Sequence, residues 1–328
     1  MDLLEVRGIT TVFTASERDV LAVRDVSLTV SAGERVGLVG ESGCGKSTLG
    51  FAIAQLLQPP GRLASGSVLF RGTDLAKLTR AELQRSRRGG IALVPQSGMN
   101  ALNPVITIER HFGDVITAHE RVRRPEVRRR AVELVSRVGL EPSVLKSYPH
   151  ELSGGMRQRL AIALVLALRP GLVIFDEPTT ALDVITQAQV IDTIRSLQEA
   201  DGFAAILISH DLGVVLEFAS RVAVMYAGRI VEDQPSETLL QRPLHPYTAA
   251  LLDCYADPRA EHVDVRGIPG MPPDLSQLMR SECAFHPRCP LAENVCRTQL
   301  PVLLPIGSGS AACFVTQREA PKEAASVA

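Results

Sequence analysis

The eight residues Gly40-Glu41-Ser42-Gly43-Cys44-Gly45-Lys46-Ser47 constrain this chain more than any other stretch. They satisfy G-x-x-x-x-G-K-[ST] between Glu34 to Val39, which reads as a buried strand, and Thr48 to Leu57, which reads as a helix. That strand-turn-helix setting is what a phosphate-binding loop requires. Glycines at the turn allow successive N–H groups to face inward, and the following helix directs its positive end at the same point. Lys46 then brings a point charge to the β- and γ-phosphates, and the Ser47 hydroxyl can ligate Mg²⁺. The candidate nucleotide contacts are Gly40, Ser42, Gly43, Cys44, Gly45, Lys46, Ser47 and Thr48, with Cys44 at a variable position of the motif as a spacer and not a nucleophile. The alternative, a chance glycine-rich turn, is weakened by a full match in this setting. A nucleoside triphosphate belongs here.

With 328 residues, 45% of them hydrophobic, the chain can build one large or two moderate domains. A formal net charge of -1 argues against holding nucleic acid by bulk electrostatics, so no nucleic-acid partner is expected. Arginines cluster at Arg85 to Arg88 and Arg121 to Arg130, and both clusters read as solvated helix faces. No apolar run approaches the roughly 20 residues that span a bilayer. The start, Met1-Asp2-Leu3-Leu4-Glu5, lacks the basic and apolar segments of a signal peptide, so a cytoplasmic location is expected. In that reducing compartment six cysteines are thiols or metal ligands before they are disulfides.

Taken in order, Leu3 to Ile9 and Asp25 to Val30 alternate as antiparallel strands, with Phe13 between them as either a core residue or a ring that stacks on a base. Gly66 to Phe70 and Gly90 to Val94 predict further strands, the second ending at Pro95-Gln96. A helical pattern follows to about Tyr148, with one amphipathic face over Ala131 to Val138. Leu152-Ser153-Gly154-Gly155 then opens a long apolar helix to Leu168, either as a plain cap or as a second helix start that meets an anion. Leu172 to Glu177 is a short apolar strand ending in two carboxylates, which are unfavourable to bury unless paired or metal-bound. Asp176 can hold Mg²⁺ and Glu177 can take a proton from an attacking water. His210 stands just past the next apolar strand, Ala205 to Ser209, and so on the crevice where an open parallel sheet binds ligands.

This series of motifs resembles the ATP-binding subunit of an ATP-binding cassette transporter over about residues 3 to 240, and it includes Ala181-Leu182-Asp183 and Ser209-His210-Asp211. The resemblance implies an α/β, P-loop NTPase (RecA-like) core with an N-terminal antiparallel β subdomain, a helical insert over about 97–165 and a loop-rich C-terminal extension. The ATP-binding domain is expected over 1–240 and the extension over 241–328. By the same resemblance Glu177 is the general base, His210 contacts the γ-phosphate, Gln96 senses Mg²⁺ and the γ-phosphate, and Phe13 stacks on adenine. Ser153, Gly154 and Gly155 would close over ATP held by a second cassette, and Asp183 would link the two sites. A second ATP-binding subunit, whether a copy or a paralogue, is therefore implied.

Gln96 to Thr107, Tyr148-Pro149-His150-Glu151 and Arg242-Pro243-Leu244-His245-Pro246-Tyr247-Thr248 are similar to the dipeptide, oligopeptide and nickel importer branch. That implies ATP-driven uptake through two transmembrane permease subunits, with an extracytoplasmic binding protein delivering the ligand and this chain peripheral on the cytoplasmic face of the membrane. A nickel or other small-solute importer, or a soluble cassette ATPase acting on nucleic acid or ribosomes, is the alternative. In the extension, Cys283, Cys289, Cys296 and Cys313 suggest a metal staple whose spacing names no metal. The segment Cys283 to Pro290 is similar to the importer branch, which implies a [4Fe-4S] cluster, with Zn²⁺ or free thiols as alternatives. Cys254 stands apart as a buried small residue.

Overall fold

The computed structural model of the chain describes residues 2–14, 19–86, 88–96, 102–254, 267–276 and 281–319. Its strands are β1 (Asp2–Thr14), β2 (Asp19–Ser31), β3 (Arg35–Val39), β4 (Gly61–Phe70), β5 (Thr73–Asp74), β6 (Ile91–Val94), β7 (Leu172–Asp176), β8 (Ala204–Ser209), β9 (Arg221–Tyr226), β10 (Arg229–Pro235), β11 (Leu304–Ile306) and β12 (Gly309–Ala311). The helices are α1 (Lys46–Ile53), α2 (Arg80–Ser86), α3 (Ile108–His119), α4 (Arg124–Arg137), α5 (Gly154–Leu166), α6 (Val184–Asp201), α7 (Leu212–Phe218), α8 (Ser236–Gln241), α9 (Pro246–Asp253) and α10 (Phe314–Glu319).

Two sequence patterns give two sheets. The alternating strands pair antiparallel in the order β2-β1-β4-β5. The continuous apolar runs of β7 and β8 are buried throughout, as strands covered on both faces require, and lie parallel to β3 and β6. The second sheet runs β11-β12-β10-β9-β3-β8-β7-β6. Strand periodicity divides its side chains between two cores. Val36, Leu38, Ile174, Ile206 and Ile208 pack with α1 and the antiparallel sheet. Val39, Val94, Phe175, Ala205 and Leu207 pack with the helical region, including Phe112, Val135 and Leu160.

The β subdomain is larger than its pattern predicts. The alternation of β1 breaks at Gly8, which has φ +54, and the pairing register shifts between Val6 and Ile9; the strand then resumes to Thr14. Phe13 therefore lies inside β1, paired with Val20 and Gly61, and not between two strands. The arginine-rich stretch also departs from a wholly solvated face. Arg128 and Arg129 pair with exposed carboxylates, but Arg130 is buried and donates to Glu120 and to the Ala167 carbonyl. The extension departs from a loop-rich tail in its helices α9 and α10 and in a pair of strands. Its hairpin β11–β12 joins the large sheet through Glu232↔Ala311 and Asp233↔Ser310, in strands too short to leave a periodic signal. Cys254 is half-buried instead of buried. No helix among the described residues is long and apolar enough to cross a membrane.

Candidate nucleotide-hydrolysis site

The loop between β3 and α1 is shaped by what surrounds it. Gly45 holds φ +105, and a Cβ there would lie 2.2 Å from the Ala22 carbonyl oxygen. Gly40, at φ +153, would place a Cβ 2.1 Å from the Met225 carbonyl oxygen. The loop is therefore packed between β2 and β9 so tightly that only glycine fits at these positions. Lys46 is buried and folds back to donate to the carbonyls of Gly40 at 2.6 Å and Glu41 at 3.1 Å. Cys44 is buried beneath the loop, and burial raises its thiol pKa, as suits a spacer. The Ser47 hydroxyl donates to Asp176 Oδ1 at 2.8 Å.

Asp176 ends β7 at 2% exposure, and burial pushes its carboxyl above the usual range, with the neighbouring Glu177 adding to the effect. A buried carboxylate beside a serine hydroxyl is a hard oxygen pair, which suits Mg²⁺ completed by phosphate and water. The chain then turns sharply. Glu177 has φ +47, a left-handed backbone that disfavours a non-glycine residue by about 1 kcal/mol, and its N–H donates to the Ile208 carbonyl at 2.9 Å. This turn places the carboxylate against two hydrogen-bond donors and the His210 ring. Gln96 Nε2 lies 2.9 Å from Oε2, the Thr180 hydroxyl 2.8 Å from Oε2, and His210 Nδ1 3.2 Å from Oε1. The His210 ring is 55% exposed, so the cluster opens to solvent. Gln96 thus stands on Glu177 and not on the Ser47–Asp176 pair. Thr180 was not singled out by the sequence, although its position three residues after Glu177 was the available signal.

Family profiles described as "ABC transporter" and "Oligopeptide/dipeptide transporter, C-terminal region" match residues 23–180 and 231–296 respectively. The chain is 44% identical over 317 residues to a Brucella melitensis protein assigned to peptide import, covering 92% of this chain and 93% of that one. The chain belongs to the ABC transporter family. It is also 41% identical to the oligopeptide transport ATP-binding protein AppD of Bacillus subtilis, over 97% of this chain and 98% of that protein. Among solved structures it is similar to the dimeric ATP-binding cassette MJ0796 in a post-hydrolysis state bound to ADP and Pi. The TM-score there is 0.64 at 29% identity, covering 71% of this chain and 98% of that one.

The remaining expected residues of the cassette lie elsewhere in the chain. Ser153 caps α5 by accepting from the Met156 N–H at 3.3 Å. Gly155 abuts Thr186 so closely that a Cβ would lie 2.5 Å from Thr186 Cγ2. Asp183 caps α6 by accepting from the Thr186 N–H at 3.0 Å and its hydroxyl at 2.7 Å, and these bonds hold its pKa below the usual range. Thr186 therefore ties Asp183 to the Ser153-Gly154-Gly155 helix start. Among the described residues no hydrogen bond joins that group to Lys46, Asp176 or Glu177. Phe13 is half-buried, its ring against Gly61, where an added Cβ would lie 2.8 Å from Cε1. Its strand partner Val20 is two residues from Ala22, which borders Gly45.

In the extension, Cys283, Cys289, Cys296 and Cys313 line one small cavity, with His245 and His286. Four sulfur donors on one cavity suit a soft metal. Burial nevertheless pushes the Cys283 thiol up to about 11 and raises Cys289 as well. No three metal-binding side chains among the described residues are arranged to hold an ion. The expected metal site is thus a convergent set of thiols and not a coordination shell.

Proposed function

We propose that this chain is the ATP-hydrolysing subunit of a peptide importer, with residues 1–240 as its ATP-binding domain. Two such subunits would work with two transmembrane permease subunits and an extracytoplasmic binding protein, this chain lying on the cytoplasmic face of the membrane. The observation that carries the hydrolytic reading is the Glu177 carboxylate held by Gln96 and Thr180, with the His210 ring 3.2 Å away, beside the Ser47–Asp176 pair. The peptide reading is supported by the names of relatives that match this chain over nearly its whole length.

In this reading the inward N–H groups of the loop bind the β-phosphate, and Lys46 leaves its two carbonyl partners for the β- and γ-phosphates. Ser47 and Asp176 would hold Mg²⁺, which neutralises charge on the phosphates, and Gln96 would join them by leaving its bond to Glu177. Glu177 accepts the proton of the attacking water at its carboxylate, and His210, on the solvent side, contacts the γ-phosphate. Ser153, Gly154 and Gly155 cover the γ-phosphate of ATP bound to the other cassette, Asp183 joins the two sites through Thr186, and Phe13 offers an adenine-stacking face. For the four cysteines the reading is a [4Fe-4S] cluster or Zn²⁺; anaerobically purified protein free of iron, sulfide and zinc would remove it.

The test is Glu177→Gln in the assembled complex. ATP binding should stay within a few-fold of wild type while hydrolysis falls about 10²- to 10⁴-fold, the range of a lost general base. Hydrolysis at the wild-type rate would overturn the role given to Glu177. Purification without permease subunits from cells that express the whole system would overturn the transport reading.

A further inference from the structure

One carboxylate of the phosphate loop is satisfied from outside the cassette. Glu41 occupies a variable position of the motif, and its side chain is held by Arg288, which lies 247 residues further along in the cysteine-bearing extension. The pair is bidentate, with Arg288 Nη1 2.7 Å from Oε2 and Nη2 3.0 Å from Oε1. The arginine is itself fixed. Its side chain is 4% exposed, its Nε donates to the Pro269 carbonyl at 2.8 Å, and its Nη1 reaches the Tyr226 hydroxyl at 3.3 Å. Glu41 is also held by its backbone, since its N–H donates to the Tyr247 hydroxyl at 2.8 Å and its carbonyl accepts from Lys46. Tyr247 in turn belongs to an aromatic group with Tyr226 and with Phe285 of the extension, at ring separations of 4.5 Å and 5.4 Å.

This geometry has an electrostatic consequence. A carboxylate on a loop that receives a triphosphate repels the ligand unless it is neutralised, and a half-buried site screens that repulsion poorly. A planar guanidinium fixed by two further acceptors neutralises and orients it at once. We propose that Arg288 is a positioning residue of the nucleotide site: from the C-terminal extension it neutralises and fixes Glu41, so that the phosphate loop accepts MgATP. The extension thereby becomes part of the ATP-binding apparatus. The proposal rests on the ATP-binding reading above but is independent of the transported cargo and of any metal at the cysteines.

The test is MgATP binding to the full-length chain at low salt, with Arg288→Met, Glu41→Gln and the double variant. Arg288→Met leaves Glu41 as an unpaired anion on the loop and should weaken MgATP about tenfold or more. Glu41→Gln in that background removes the anion and should restore affinity to within about threefold of wild type. A purely structural loss at Arg288 would not be rescued in this way. In steady-state hydrolysis the Arg288→Met defect should appear in KM, with kcat within about twofold of wild type. Unchanged affinity in Arg288→Met, or a double variant as weak as the single one, would overturn the proposal. Should Arg288→Met not yield folded protein, Arg288→Lys keeps the charge but loses the two-pronged pair and should weaken MgATP severalfold, with Glu41→Gln restoring it; a lysine variant that Glu41→Gln does not rescue would overturn the proposal. None of these outcomes bears on Glu177, so their failure is distinct from failure of the hydrolytic reading.

Discussion

Glu232 is the buried carboxylate on which the junction between cassette and extension depends, and Glu232→Ala should destabilise the protein strongly. The residue sits on β10 at 0% exposure and accepts from the N–H groups of Leu244 at 2.8 Å and His245 at 2.7 Å, and from Gln234 Nε2 at 2.6 Å. Removing it leaves two buried backbone donors without acceptors, each worth about 1–3 kcal/mol. Part of that loss is offset, because burial already disfavours the ionised carboxylate and raises its pKa. The net loss is about 3 kcal/mol, and at roughly 2 °C per kcal/mol for a chain of this size the melting temperature should fall by roughly 6 °C. Glu232→Gln retains one acceptor oxygen and should lose about half as much. Thermal unfolding of the nucleotide-free protein at neutral pH reads both. A shift below roughly 2 °C in Glu232→Ala would refute the reasoning, because it would mean that the two N–H groups find other acceptors.

The other perturbations act at the site itself. Because Asp176 has a folded-state pKa raised mainly by burial, its effect on stability is absent below the unfolded value of 3.8 and becomes unfavourable as pH rises through the folded value. Asp176→Asn should therefore melt above wild type at neutral pH in the absence of nucleotide and Mg²⁺, with the difference vanishing as pH falls towards 4; an equal gap at both pH values would contradict the sign. Gly45→Ala forces a Cβ to 2.2 Å from the Ala22 carbonyl at φ +105, and fluorescent-nucleotide titration should show affinity reduced by about tenfold or more. An unchanged Kd would mean that the loop can shift at no cost to phosphate binding.

The parts of the site legible in the sequence were those whose chemistry is local. The loop, the β7 carboxylates and the Ser153 cap each declare themselves through residues a few positions apart, and the apolar runs of β7 and β8 fixed a parallel sheet with Glu177 and His210 at the same end. What was not legible depends on distant partners. The bond of Gln96 to Glu177 spans 81 positions, and that of Arg288 to Glu41 spans 247, and neither residue type announces its partner. The position of Phe13 is hidden because a single glycine interrupts the alternation of β1, and the burial of Arg130 because its acceptors lie just past the ends of α3 and α5. The β11–β12 hairpin leaves no pattern for a different reason: three-residue strands draw their stability from the neighbour they pair with, not from their own composition.

That hairpin also determines what happens to a shortened chain. With β12 in place, the outward ladder of β10 around Glu232 and Asp233 is occupied from within the molecule. A chain that stops at Gln241 would present the same backbone groups as an open seam, ready to accept a strand from another molecule. Such a truncated protein should self-associate and precipitate even though its phosphate loop is whole, so the extension also protects the fold against aggregation.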